Sequence, residues 1–159
     1  MADKLIKKLE QEGKLRKQKA GIVQVEALLK QAIIDLAEAR KISQIAERAT
    51  YLLAYMAMLK AGRALLLLRE YIPADGAQHK TVVDVTAALL GSKYRDLTDR
   101  FETMRRKRNE MTYEAGALMS LSEAQKSFDD AITLVKTILK EAKSQNPQLE
   151  LKFKLDDLG

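Results

Sequence analysis

The chain has 159 residues, 47% apolar and 31% charged, which suits one domain with a continuous core and excludes a disordered chain. The absence of cysteine excludes a disulfide framework, a zinc–thiolate centre and a cysteine nucleophile. The net charge of +6 is unevenly placed: residues 1–20 carry seven Lys/Arg against three Asp/Glu, and residues 93–110 carry seven against four, a pattern compatible with a polyanionic partner or with a solvated surface.

The composition is rich in strong helix formers and holds only two prolines, Pro73 and Pro147. An opening helix is predicted over roughly residues 3–11, interrupted by Gly13. No apolar stretch of signal-peptide length stands near the start, and no uninterrupted apolar run, Ala64–Leu68 among them, is long enough to span a bilayer. A cytoplasmic protein without a membrane partner is therefore expected.

A second helix should run from about Lys17 to Arg40, with Ile22, Val25, Leu28, Leu29, Ala32, Ile33 and Leu36 on the 3.6-residue period. Ser43 is expected to cap a third helix, with Glu47 in its first turns, that runs to about Glu70 and stops before Pro73. Ala54, Ala57, Ala61 and Ala64 line one stripe of it, which lets a neighbour approach closely and predicts the central helix of a bundle, with homodimerisation as a second use of the stripe. The stretch 73–78 reads as a loop. A short helix from about Lys80 to Leu90 ends at Gly91.

The next helix is predicted from Ser92 to about Glu114, with Leu97, Phe101 and Met104 inward, and Gly116 breaks it. Both Ser120-x-x-Glu123 and Ser122-x-x-Gln125 match the capping box, which places the start of the last long helix close to Ser122. Its inward stripe is Ala124, Phe128, Ala131, Val135, Ile138 and Leu139, and it ends before Asn146-Pro147. The predicted fold is all-α: an antiparallel, up-and-down bundle of about five helices over residues 1–145. In the tail, 146–159, residues Leu149 to Leu155 alternate apolar and charged, so it either lies extended on the bundle or docks on another chain.

His79 is the sole histidine, so no imidazole pair or HExxH site exists. Glu26, Asp35, Glu38 and Glu47 have no ExxH partner, and neither a GxxxxGK[ST] loop nor a GxGxxG loop is present. No metal and no cofactor are expected. The segment Met104 to Glu114 carries the one constellation suited to chemistry. Helical spacing gathers Arg105, Arg108, Asn109 and Thr112 on one stripe, with Tyr113 four residues beyond Asn109. Guanidinium groups suit phosphate, so Arg105, Arg106 and Lys107 join Arg108 as phosphate or RNA contacts. The alternative is an Arg–Asn pair that hydrogen-bonds between helices or across a dimer seam.

Over roughly residues 5–140 the sequence resembles the HEPN-domain family, the helical domains of higher eukaryote and prokaryote nucleotide-binding proteins. The resemblance rests on order: helices bearing Tyr51, Tyr55, Met58, Ala61 and Ala64-Leu65-Leu66, then a Pro73 loop leading to His79-Lys80, then Arg108-Asn109-x-x-x-Tyr113 ahead of a final amphipathic helix. That family's mark is Arg, a polar residue, and His after four to six intervening residues. It implies a metal-independent ribonuclease site, two such motifs facing across a homodimer, and toxin–antitoxin pairing with a small nucleotidyltransferase.

Carried over, the resemblance makes Arg108, Asn109 and Tyr113 the catalytic candidates, with Tyr113 in the histidine place. A free tyrosine, with a pKa of about 10, is a weak general base at pH 7. His79 precedes a different helix and is expected to be a satisfied or surface loop residue. Three readings result: binding of RNA with attendant ribonuclease chemistry, binding of a nucleotide, or a non-catalytic dimeric interaction module that pairs with a nucleotidyltransferase or another protein.

Overall fold

A computed structural model describes residues 2–19, 21–74, 78–113 and 118–155. The middle of the expected loop at 75–77, the predicted helix end at Glu114 with its Gly116 break, and tail residues 156–159 lie outside the described residues. Six α-helices form among the described residues: α1 (Ala2–Gln11), α2 (Ile22–Ile42), α3 (Glu47–Leu68), α4 (Gln78–Leu90), α5 (Arg95–Tyr113) and α6 (Leu121–Gln145). A 3-10 turn, Ser92–Tyr94, leads into α5. Among the described residues the one sheet is a small two-stranded ladder.

The ladder pairs β1 (Leu15–Lys17) with β2 (Tyr71–Pro73) antiparallel, in the register Leu15 opposite Pro73 and Lys17 opposite Tyr71. Backbone bonds from Gln18 N to Glu70 O (2.8 Å) and from Ala74 N to Lys14 O (3.0 Å) extend it by one residue at each end. The chain turns into β2 through Glu70, whose φ of 62° is one that side chains other than glycine rarely adopt. Because β1 occupies Leu15–Lys17, α2 begins not near Lys17 but at Ile22 after Gly21, the first residue of the apolar period. Ser43 closes α2 rather than opening α3: its hydroxyl donates to Arg40 O at 3.1 Å, and α3 starts at Glu47 after Ala46.

α3 is the central helix, packed most extensively against α2 and α6 and also meeting α4 and α5. Ala54, Ala57, Ala61 and Ala64 are all 0% exposed, so the small-residue stripe is consumed inside this chain and presents no face to a second copy. By length and composition α3 could cross a membrane, with a mean hydropathy of 1.5 over its most apolar stretch, but 67% of that stretch is buried against other helices. α3 comes close to α4 at Gly62, where a Cβ would stand 2.7 Å from Val82 Cγ1 and 2.8 Å from Thr86 Oγ1.

Ser120 decides the start of α6: its Oγ accepts from Glu123 N at 3.0 Å, so the first of the two capping boxes is the one used. Such a cap contributes about 1 kcal/mol. Two nearly buried carboxylates are matched by cations, as burial of charge requires. Lys60 Nζ in α3 lies 2.7 Å from Asp35 in α2, and Arg100 Nε in α5 lies 2.9 Å from Asp130 in α6. Beyond α6, Leu149 is buried and Leu151, Phe153 and Leu155 pack on the core, while Glu150, Lys152 and Lys154 face water. Lys136 Nζ sits 5.0 Å from the Phe153 ring centroid. The alternation of the tail thus works against the side of the helices, with no strand partner.

Candidate functional site

Three helices converge on one phenol. Tyr55 of α3 is wholly buried; its ring meets Phe101 of α5 at a centroid separation of 6.0 Å, and its hydroxyl lies 2.9 Å from Nδ1 of His79 in the first turn of α4. Two turns further along α3, Arg63 donates through a terminal guanidinium nitrogen to Gln78 Oε1 at 3.1 Å. The first two residues of α4 are therefore both held by α3. Gly62 lets the two helices close to that distance, and the β1–β2 ladder delivers the chain to the start of α4.

α5 supplies the charge. Leu97, Phe101 and Met104 are buried, and this inward phase turns Glu102, Arg105, Arg108 and Asn109 onto the half-buried rim. The four consecutive cations of α5 do not share one fate. Arg105 forms a two-point pair with Glu102, with its terminal nitrogen 3.1 Å from Oε2. Arg106 Nε stands 3.6 Å from the same carboxylate, and Lys107 Nζ reaches Glu123 of α6 at 3.4 Å. Arg108 has no carboxylate partner among the described residues; its one side-chain contact is Asn109 Oδ1 at the long distance of 3.4 Å.

The Arg105 hydrogen bond holds the Glu102 carboxyl below the usual carboxylate range and raises the Arg105 guanidinium in return. Burial, followed by the charges of Arg108, Arg63 and Arg105, pushes the His79 imidazole below its usual value. Burial raises the Tyr55 phenol to about 12, against the opposing pull of Arg108 and Arg105. Of the charges acting on His79 and on Tyr55, Arg108 comes first in both cases, which puts the α5 cation near the α4–α3 pair.

The sequence-derived residues divide accordingly. Arg108 and Asn109 meet at the rim. Arg105 and Arg106 share the one carboxylate of Glu102, and Lys107 pairs with Glu123. Tyr113 is 81% exposed at the end of α5. Five residues on a helix carry it roughly 140° around the axis from Arg108, so the phenol stands off the Arg108 face. Tyr55, Arg63 and Gln78 were not foreseen as site residues; His79 is satisfied, as expected, by the Tyr55 hydroxyl, but it lies in the first turn of α4 and not in the loop before it. Among the described residues no group of three His, Cys, Asp or Glu could hold a metal ion.

The arrangement suits an anion. Two guanidinium groups, Arg108 without a carboxylate partner among the described residues and Arg63 bound to an amide, both act on an imidazole whose pKa burial lowers, and guanidinium and N–H donors with net positive charge are what a phosphate oxygen needs. No family model, no curated protein and no solved structure matches this chain.

Proposed function

We propose that this is a HEPN-like protein of RNA metabolism or of a toxin–antitoxin-type system, an antiparallel up-and-down bundle that binds RNA or nucleotide phosphates through Arg108 and its neighbours. The observation that carries the reading is the Arg108 guanidinium on a half-buried rim, without a carboxylate partner among the described residues, beside three cations that share the two carboxylates of Glu102 and Glu123. RNA outranks a free nucleotide because basic residues also crowd the N-terminal segment, among them Lys4, Lys7, Lys8, Arg16 and Lys17, and an extended polyanion could use both. Metal-independent cleavage has weaker support, since Tyr113 is directed away from Arg108.

Binding of a fluorescent single-stranded RNA, followed by anisotropy across a salt series, tests the reading. The logarithm of the affinity should fall linearly with the logarithm of salt, by about 0.7 for each phosphate contacted. Binding that is weak and indifferent to salt would remove RNA from the proposal.

A second reading has its own observation. Tyr113 and Leu118 are 81% and 82% exposed and Leu121 is 42% exposed, three exposed apolar side chains close in sequence at the end of α5 and the approach to α6. A dimer, or a complex with a nucleotidyltransferase, would cover them. Light scattering on a sizing column should then give twice 17.9 kDa for the isolated chain, and a lower mass for Leu118→Asp. A monomer at every concentration would eliminate the homodimer.

A further inference from the structure

The Tyr55 hydroxyl is wholly buried, and among the described residues its one hydrogen-bond partner is His79 Nδ1, 2.9 Å away. A buried phenol keeps its proton at neutral pH and must place it on an acceptor, because an orphaned buried donor forfeits its full hydration. If Nδ1 carried the ring proton, the two groups would have two protons and one line of contact, and the phenol's proton would have nowhere to go. The geometry therefore fixes the tautomer: Nδ1 accepts from Tyr55, and the ring proton of the neutral imidazole sits on Nε2. In that state Nε2 is a donor and has no lone pair with which to act as a base.

The groups around the imidazole hold this state from every side. Tyr55 and Arg63 face it from α3. Arg105 and Arg108 act on it from α5, where Glu102 is already committed to Arg105 and Arg106. On α4 itself Lys80 is paired with Asp84, 3.2 Å away. No carboxylate is left to stabilise an imidazolium among these groups, so the ring stays neutral through pH 7. A neutral N–H donor among guanidinium groups adds a directed hydrogen bond to an anion without a further charge.

We infer that His79, fixed by Tyr55 as the Nε2–H tautomer, is the α4 half of a phosphodiester-binding site whose α5 half is Arg108, and that it serves as a phosphate donor, not as a general base. This rests on the phosphate-binding reading above. It assigns a binding role to a residue outside the Arg108-Asn109-x-x-x-Tyr113 segment.

The chain has only one histidine, so its ring nitrogens can be read without assignment. In uniformly 15N-labelled full-length protein, Nδ1 should be of the unprotonated type and Nε2 of the protonated type, with no change between pH 6.5 and pH 8. Addition of a short oligouridine should shift the Nε2–H signal. His79→Gln, which keeps an N–H donor, should bind that RNA close to the parent level, whereas His79→Leu should bind about tenfold more weakly, the loss of one hydrogen bond to a charged group. A protonated Nδ1, or a ring that gains its second proton above pH 6.5, overturns the inference. So does an Nε2–H signal indifferent to RNA while the salt-dependent binding persists, and in that case the Arg108 reading stands alone. Absence of any salt-dependent binding overturns both, and the two failures are thereby told apart.

Discussion

Replacing Gly62 by valine should destabilise the protein by about 3 kcal/mol, near the upper end of what overpacking a core costs. Even the first added carbon would stand 2.7 Å from Val82 Cγ1 and 2.8 Å from Thr86 Oγ1, distances that real Cβ atoms essentially never show. Val82 and Thr86 are both 0% exposed, so neither can swing away into solvent. Gly62→Ala is the finer test, because two effects oppose. Alanine gains about 1 kcal/mol of helix propensity, and the clash costs about 1–3 kcal/mol. The clash should win, since both obstructing atoms are in the core.

Urea unfolding followed by circular dichroism measures this directly. A double-mutant cycle separates the causes: Gly62→Ala combined with Thr86→Ala should recover part of the loss, because it removes a hydroxyl that has no hydrogen-bond partner of its own. An alanine variant as stable as the parent would mean that α3 and α4 are not this close. The consequence reaches the site, since α4 carries Gln78 and His79 and any outward shift of α4 lengthens their bonds to Arg63 and Tyr55.

How far this arrangement could be read from the residues depends on the range of the force that sets each part. Helix interiors were legible because burial repeats with the helical period: the inward stripe of α6, Ala124 through Leu139, is the buried one. The Ala54–Ala64 stripe foretold the central helix for the same reason. Short-range ambiguities were settled by single hydrogen bonds that the period cannot resolve, as at Ser43, which ends a helix, and at Ser120, which begins one. The β1–β2 ladder left no trace, because three residues are too few for an alternation and the partner is more than fifty positions away.

Charge behaved similarly. That Glu102 pairs with Arg105 and Arg106 follows from spacings of three and four on one helix, and could have been drawn from the sequence. That Glu123 takes Lys107 could not, because it depends on how α6 lies beside α5. The basic run was visible, but which member keeps its charge was not. The His79 contact is the most distant case: 24 positions from Tyr55 and placed by the packing of α4 on α3, it carries no local signature. Its one advance signal was its standing as the sole histidine, at the start of a helix.

Charge reversal at Arg108 is the functional test with the largest expected effect. Arg108→Glu should weaken binding of single-stranded RNA by about a hundredfold at low salt, since it removes a hydrogen bond to a charged group and sets a carboxylate against the phosphate. The salt slope should drop by about 0.7, the signature of one lost phosphate contact on a single strand. Arg106→Glu is the matched control. It changes the net charge equally and lies three-quarters exposed on the same helix, but its guanidinium already shares Glu102, so the loss should stay within a few-fold. Neither variant should change stability by more than about 0.5 kcal/mol, because Arg108 has no ion pair among the described residues and Arg106 has only an exposed one. Equal losses from the two variants would reduce RNA binding to general surface charge. A large loss at Arg108 alone would locate a discrete phosphate contact at the place where α3, α4 and α5 meet.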